Sequence, residues 1–125
     1  MSTVTFEAIA PVLNVNSRTM KPTLDLLTEK LGFEIDTVLG EQPKFAMLKK
    51  DELTVMLFCR TSIPWPQKGW ATYIWVSNVD ALHADLLSRD APIKVGPHDR
   101  DYGVRELEVL TPDGRQIVFG QQLSA

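Results

Sequence analysis

Glu106 and Glu108, in the run "VRELEVL", stand two residues apart on a β-prone segment. A strand would place both carboxylates on one face, about 7 Å apart. Such a pair could share general acid and base work, or form ion pairs with Arg105, Lys94 or a partner chain. The two histidines offer less. His83 reads as a surface residue on a helix flank, and His98 falls in "GPHDRDYG", a loop able to form a lid over a cleft. Cys59, the single cysteine, ends an apolar run with no histidine nearby in sequence. It reads as a small buried hydrophobe rather than a nucleophile. No serine occupies a nucleophile-elbow setting, and "GEQPKF" and "TPDG" lack the glycine pattern of a phosphate loop.

Binding chemistry is better represented than bond-breaking chemistry. The stretch "ELTVMLFCRTSIPWPQKGWATYIWV" (52–76) holds all three tryptophans and one of the two tyrosines. Strand alternation sorts these side chains. Ile74 and Val76 take the core side, so Ala71, Tyr73, Trp75 and Ser77 face the other way. By the same rule Thr54, Met56 and Phe58 share a face, and Glu106 and Glu108 oppose Leu107 and Val109. Asn14, Gln116 and Val118 would complete a concave floor, while Trp65 and Trp70 are read as packing the connector or a dimer interface. Rings beside carboxylates suit a flat apolar molecule with a positive charge, through stacking and cation–π contact.

These side chains need a scaffold, and the sequence writes it twice. "FEAIAPVLNV" (6–15) is strand-like, and Met20, Leu24, Leu27 and Leu31 then make the stripe of an amphipathic helix. Pro22 fits its first turn and Gly32 its end. "FEIDTVL", "KFAMLKK" and "LTVMLFC" follow as three strands. The second half repeats the order: "ATYIWVS" as a strand, Asn78 as N-cap, Val79, Leu82 and Leu86 as helical stripe, then strands near 92–96, 104–110 and 115–120. "NVNSRTMKPTLDLLTEKLGFEI" aligns with "WVSNVDALHADLLSRDAPIKV" across one gap, setting Asp25, Leu26 and Leu27 over Asp85, Leu86 and Leu87. The expected fold is α+β, one domain of two βαβββ modules: about 5–59, a connector 60–69, and about 70–121. Each module would bury its helix on one sheet face and leave the other concave, so that paired modules make a cleft.

The chain has 125 residues, enough to bury roughly two-thirds of its extended surface. A net charge of −3 and no basic stripe argue against nucleic acid as a partner. No stretch reaches the roughly 20 apolar residues of a membrane span, and the first residues carry no signal-peptide pattern. With one cysteine and no intrachain disulfide, the expected location is the cytoplasm.

The segments "LNVNSRTMKPTLDLLTEKLGF" (13–33), "YIWVSNVDALHADLLS" (73–88) and "YGVRELEVLTPDGRQIVF" (102–119), taken in order, resemble the vicinal oxygen chelate superfamily of glyoxalases, extradiol dioxygenases and fosfomycin- and bleomycin-resistance proteins. In its metal-dependent members, His or Glu ligands occupy inward-facing strand positions. The resemblance places these at Ala10, Met56, Ala71 and Val118, and the neighbouring residues are no better donors. Neither a metal nor another cofactor is therefore expected. "GWATYIWVSNVDALHADL" is most similar to the bleomycin-resistance branch, and "DYGVREL" adds Tyr102 to the candidate site. That branch implies a homodimer with two clefts that sequester a cationic aromatic antibiotic or toxin.

The expected ligand site is thus Asn14, Met56, Phe58, Tyr73, Trp75, Tyr102, Glu106, Glu108 and Val118, with Trp75 across from Met56 and Phe58. Two alternatives stand beside this small-molecule binding protein. One is a lyase or dioxygenase with a relocated metal site using His83, His98, Glu106 or Glu108. The other is an interaction module with a residual cleft. Pro64 and Pro66 in the connector predict an extended strap that could hand the second module to a partner chain.

Overall fold

The computed structural model describes residues 3–124. Its order is β1 (Val12–Val15), α1 (Met20–Asp25), β2 (Glu34–Leu39), β3 (Phe45–Lys50), β4 (Leu53–Cys59), β5 (Trp70–Trp75), α2 (Val79–Ser88), β6 (Ile93–Asp99), β7 (Val104–Leu110) and β8 (Gln116–Gln122). This is βαβββ written twice. Each half forms a four-stranded sheet, ordered β1-β4-β3-β2 and β5-β8-β7-β6. The first strand of each module lies parallel to its last, and the remaining pairs are antiparallel.

The helices form where the apolar spacing places them. Met20, Leu24, Leu27 and Leu31 are all buried. A π-helical turn, Leu26–Lys30, continues α1, closed by Leu31 N–H donating to the Leu26 carbonyl at 3.0 Å. It adds Leu26 to the buried stripe. Gly32 then ends the helix at φ +76, a conformation that costs glycine little. Asn78 caps α2 by accepting from the Ala81 N–H at 3.0 Å. Asn16 plays the matching role before α1, accepting from the Arg18 and Thr19 N–H groups. The gap in the internal alignment falls in this loop, Asn16–Thr19 against Val76–Asn78.

Both modules contribute to one buried cluster, from Leu13, Leu27 and Leu57 on one side to Ile74, Leu86 and Phe119 on the other. Arg115 adds a polar clamp between them: its Nη2 donates to the Asn14 carbonyl at 2.9 Å and to buried Asp113 at 2.7 Å. The connector, expected as an extended strap, is tied to its own chain. Gln67 N–H donates to the Asp113 carbonyl and Trp65 Nε1 to the Pro112 carbonyl, fastening it to the turn between β7 and β8 of the same chain. Gly114 permits this contact, because a Cβ there would collide with the Gln67 carbonyl.

The first strand is shorter than its apolar run. Residues 3–11 form no strand, and Phe6 is 96% exposed with Ile9 close behind. An apolar run makes a strand only where a neighbour supplies hydrogen bonds, and the ladder to β4 begins at Val12 opposite Met56. Among the described residues, no helix is long and apolar enough to cross a membrane.

Candidate functional site

Tyr73 and Trp75 project from β5 on the face opposite buried Ile74, as strand alternation predicts. Trp70, expected to pack the connector or a dimer interface, joins them. The register runs from Trp70 opposite Gln116 to Thr72 opposite Ile117, so Ala71 is an extra residue that packs against the core. This bulge reverses the parity of everything before it. Trp70 therefore moves to the open face, and Ala71, expected in the cleft, leaves it. The three rings form a continuous strip, with Trp70 to Tyr73 centroids at 5.6 Å and Tyr73 to Trp75 at 4.9 Å.

Opposite the strip stands Glu106 on β7, fully buried. One of its oxygens, Oε2, accepts from the Tyr73 hydroxyl at 2.7 Å and from the Tyr102 hydroxyl at 2.8 Å. The other, Oε1, accepts from Arg100 Nη1 at 3.2 Å. Arg100 and Tyr102 lie in the turn between β6 and β7, and the guanidinium carbon lies 5.0 Å from the Tyr102 ring centre. Burial, then the hydrogen bond to the Glu106 carboxylate, push the Tyr73 hydroxyl far above the ordinary tyrosine value. Tyr102 is shifted the same way, by desolvation at the cavity wall and then by Glu106. Both hydroxyls thus stay protonated as donors.

Between these groups lies a cavity of about 730 Å³, lined by Trp70, Tyr73, Trp75, Arg100, Tyr102 and Glu106, with backbone and side chain from Gly103, Val104, Gln122 and Leu123. That volume is in the range of small-molecule sites. Four of its ten lining residues are aromatic.

Four of the expected site residues, Tyr73, Trp75, Tyr102 and Glu106, are brought together here. The other five are not. Asn14, Met56 and Phe58 lie on the sheet of module one, and module-two residues alone line this cavity. Trp75 therefore does not face Met56 and Phe58 within the chain, because the modules join through a shared core while each closes its own sheet. Val118 on β8 pairs with Tyr73 and Glu108 but has no exposed surface, and half-buried Glu108 lies outside the lining. The expectation of two carboxylates open to a cation is likewise corrected, since Glu106 has no exposed surface and three protein donors. His98 sits on β6 opposite Glu106 rather than in a lid loop.

Trp70, Arg100 and Gly120 were missed. Only Gly120 carried a signal: a glycine inside a strand often marks a close approach. Here that approach is by Tyr73, whose hydroxyl would overlap a methyl placed on Gly120.

The positions at which the resemblance would place metal ligands carry no donor set. Ala10, Ala71 and Val118 offer no donor and Met56 a lone thioether, and no three His, Cys, Asp or Glu side chains converge among the described residues.

Two βαβββ modules around one core, with a cavity on an open sheet face, define the glyoxalase-type α+β fold. The sequence profile of the Glyoxalase/Bleomycin resistance protein/Dioxygenase superfamily matches residues 9–119, and the chain belongs to that superfamily. Among solved structures it is similar to a glyoxalase-related enzyme from Clostridium phytofermentans, at 21% identity and TM-score 0.75, covering 96% of this chain and 98% of that one. It is also similar to the bleomycin-binding protein of Streptomyces verticillus, solved with copper(II)-bleomycin, at 20% identity and TM-score 0.74, covering 98% and 100%. A third is TnmS3, an antibiotic-binding protein from Streptomyces sp. CB03234, at 21% identity and TM-score 0.68, covering 95% and 99%. At these identities the likeness is one of fold. No protein of curated function matches the chain by sequence.

Proposed function

We propose that this protein binds a flat aromatic small molecule, an antibiotic or toxin, and sequesters it without using a metal. The observation that carries this reading is the ring-lined cavity, with the large apolar side chain of Trp75 57% exposed beside Tyr73. Exposed aromatics clustered at a cavity favour a ligand over packing within the chain, which would have buried them. The lack of a donor set at the positions where the resemblance would place metal ligands supports binding without metal chemistry. The antibiotic-binding neighbours of the same fold agree with it.

We also propose that the chain acts as a homodimer. Phe6, Ile9 and Phe58 are left uncovered, and the open face carrying Met56 and Phe58 has no partner within the chain. Light scattering at tens of micromolar should give twice the 14.0 kDa chain mass. A monomer would refute this part alone.

The ligand reading is tested by tryptophan fluorescence during a thermal-shift screen of planar aromatic compounds. A binder should quench the protein and raise its melting temperature. Trp75→Ala should lower affinity for that compound at least tenfold, a loss of about 1.4 kcal/mol or more. Because the ring is exposed, its removal should leave stability within about 1 kcal/mol, well short of the 3–5 kcal/mol for deleting a core aromatic. A large loss of stability with unchanged affinity would make Trp75 a packing residue and end the proposal.

A further inference from the structure

We infer that the cavity selects aromatic compounds bearing an anionic or strongly accepting group, and that Arg100 is the residue that reads it. This rests on the aromatic-cavity reading above and adds the charge of the ligand to it.

The two charged groups in the lining, Glu106 and Arg100, are partners, but they are not equally accessible. Glu106 has no exposed surface, and both oxygens are occupied by the Tyr73 and Tyr102 hydroxyls and by Arg100. A ligand cation could reach it only by displacing one of these donors, leaving that donor unpaired. Arg100 is the opposite case. Its side chain is 36% exposed, and the bond from Nη1 to Glu106 is its only side-chain hydrogen bond among the described residues. A guanidinium carries five N–H donors, so most of the fork is free. Stacking on Tyr102 and the bond to Glu106 hold it at the cavity wall.

The pair is neutral in sum, but a ligand meets its positive end first. Coulomb energy falls with distance, so the nearer, reachable charge decides the preference. The remaining acids nearby do not reverse this. Asp99 is held by Arg105 at 2.9 Å, and Asp101 is exposed outside the lining. A planar carboxylate, phenolate or quinone-type carbonyl can thus lie along Trp75 and Tyr73 with its oxygen toward Arg100. The fork geometry of guanidinium suits such oxygens better than a lysine would.

Three ring-matched probes test this: anthracene carrying a carboxylate, a hydroxymethyl or an aminomethyl group at the central ring, titrated by tryptophan quenching. The carboxylate should bind at least tenfold more tightly than the ammonium compound, with the alcohol between them. Arg100→Gln should abolish the preference while retaining affinity for the alcohol. The double variant Arg100→Gln with Glu106→Gln, which leaves no unpaired buried charge, should do the same if the single variant folds poorly. Tightest binding by the ammonium probe, or an unchanged preference in the folded variants, would overturn the inference. Equal, Trp75-dependent binding of all three would sink it and spare the cavity reading. No quenching by any probe would sink both.

Discussion

Tyr73 donates its hydroxyl to Glu106 at 2.7 Å by passing over an entire strand. The two residues sit on β5 and β7, with β8 between them, so their backbones are about 10 Å apart. The strand in the gap presents Gly120, paired with both Trp75 and Glu106. Any side chain there would fill the path of the tyrosine. One missing methyl lets the aromatic strip and the buried carboxylate form a single wall.

Gly120→Ala should therefore act on the site rather than on the strand. The new methyl would overlap the Tyr73 hydroxyl and ring, and overpacking of this kind costs about 1–3 kcal/mol. Denaturant unfolding should show that loss, together with a changed tryptophan emission as Tyr73 is pushed toward Trp70 and Trp75. Combining it with Tyr73→Ala should cost less than the two separate losses added together. Strict additivity would mean that Gly120 and Tyr73 do not contact each other.

The only two tyrosines of the chain both donate to Glu106, which makes their ionisation a direct reading of the site. Their folded values are raised, so the stability they contribute is intact below about pH 10 and declines as pH climbs toward the folded values. Tyrosinate absorbance in the native protein should thus appear at higher pH than in the unfolded chain. Glu106→Gln should bring that onset down, though not fully, because desolvation is the larger cause in both tyrosines. Native tyrosines that titrate as they do in the unfolded chain would contradict the hydrogen bonds.

Asp113 governs the opposite end of the pH scale. Burial pushes its carboxyl up, but hydrogen bonds from Arg115 and Thr111 and the Arg115 charge outweigh this and hold it below the ordinary range. A depressed folded value means stability that is present above about pH 4 and is lost as pH falls through the folded value. Asp113→Asn should be less stable at neutral pH, by about 1.5–3 kcal/mol for lost charge-assisted bonds, and should lose less than the parent on acidification. Parallel stability curves below pH 4 would show that the clamp does not depend on ionised Asp113.

Much of this protein is decided locally. The 3.6-residue stripe of Met20, Leu24, Leu27 and Leu31, the cap at Asn78, the stop at Gly32 and the repeat of one module in the other depend on neighbours along the chain. They could be read from the sequence, as could the placement of Tyr73 and Trp75 opposite Ile74. What tertiary structure alone decided is non-local. The bulge at Ala71 arises from pairing with β8, and one inserted residue reverses a period of two, so simple alternation does not carry Trp70 to the face of Tyr73 and Trp75. The sequence offers Arg105, Lys94 or a partner chain as ion-pair partners for Glu106, because nothing along the chain says that Tyr73, from β5, will cross Gly120 to reach it. Nothing in the sequence singles out Arg100, because accessibility is a property of the folded surface. The sequence determined which rings and charges the wall contains; packing determined that the carboxylate is sealed and the guanidinium left open, since burial and hydrogen-bond partnership are settled only when distant strands meet.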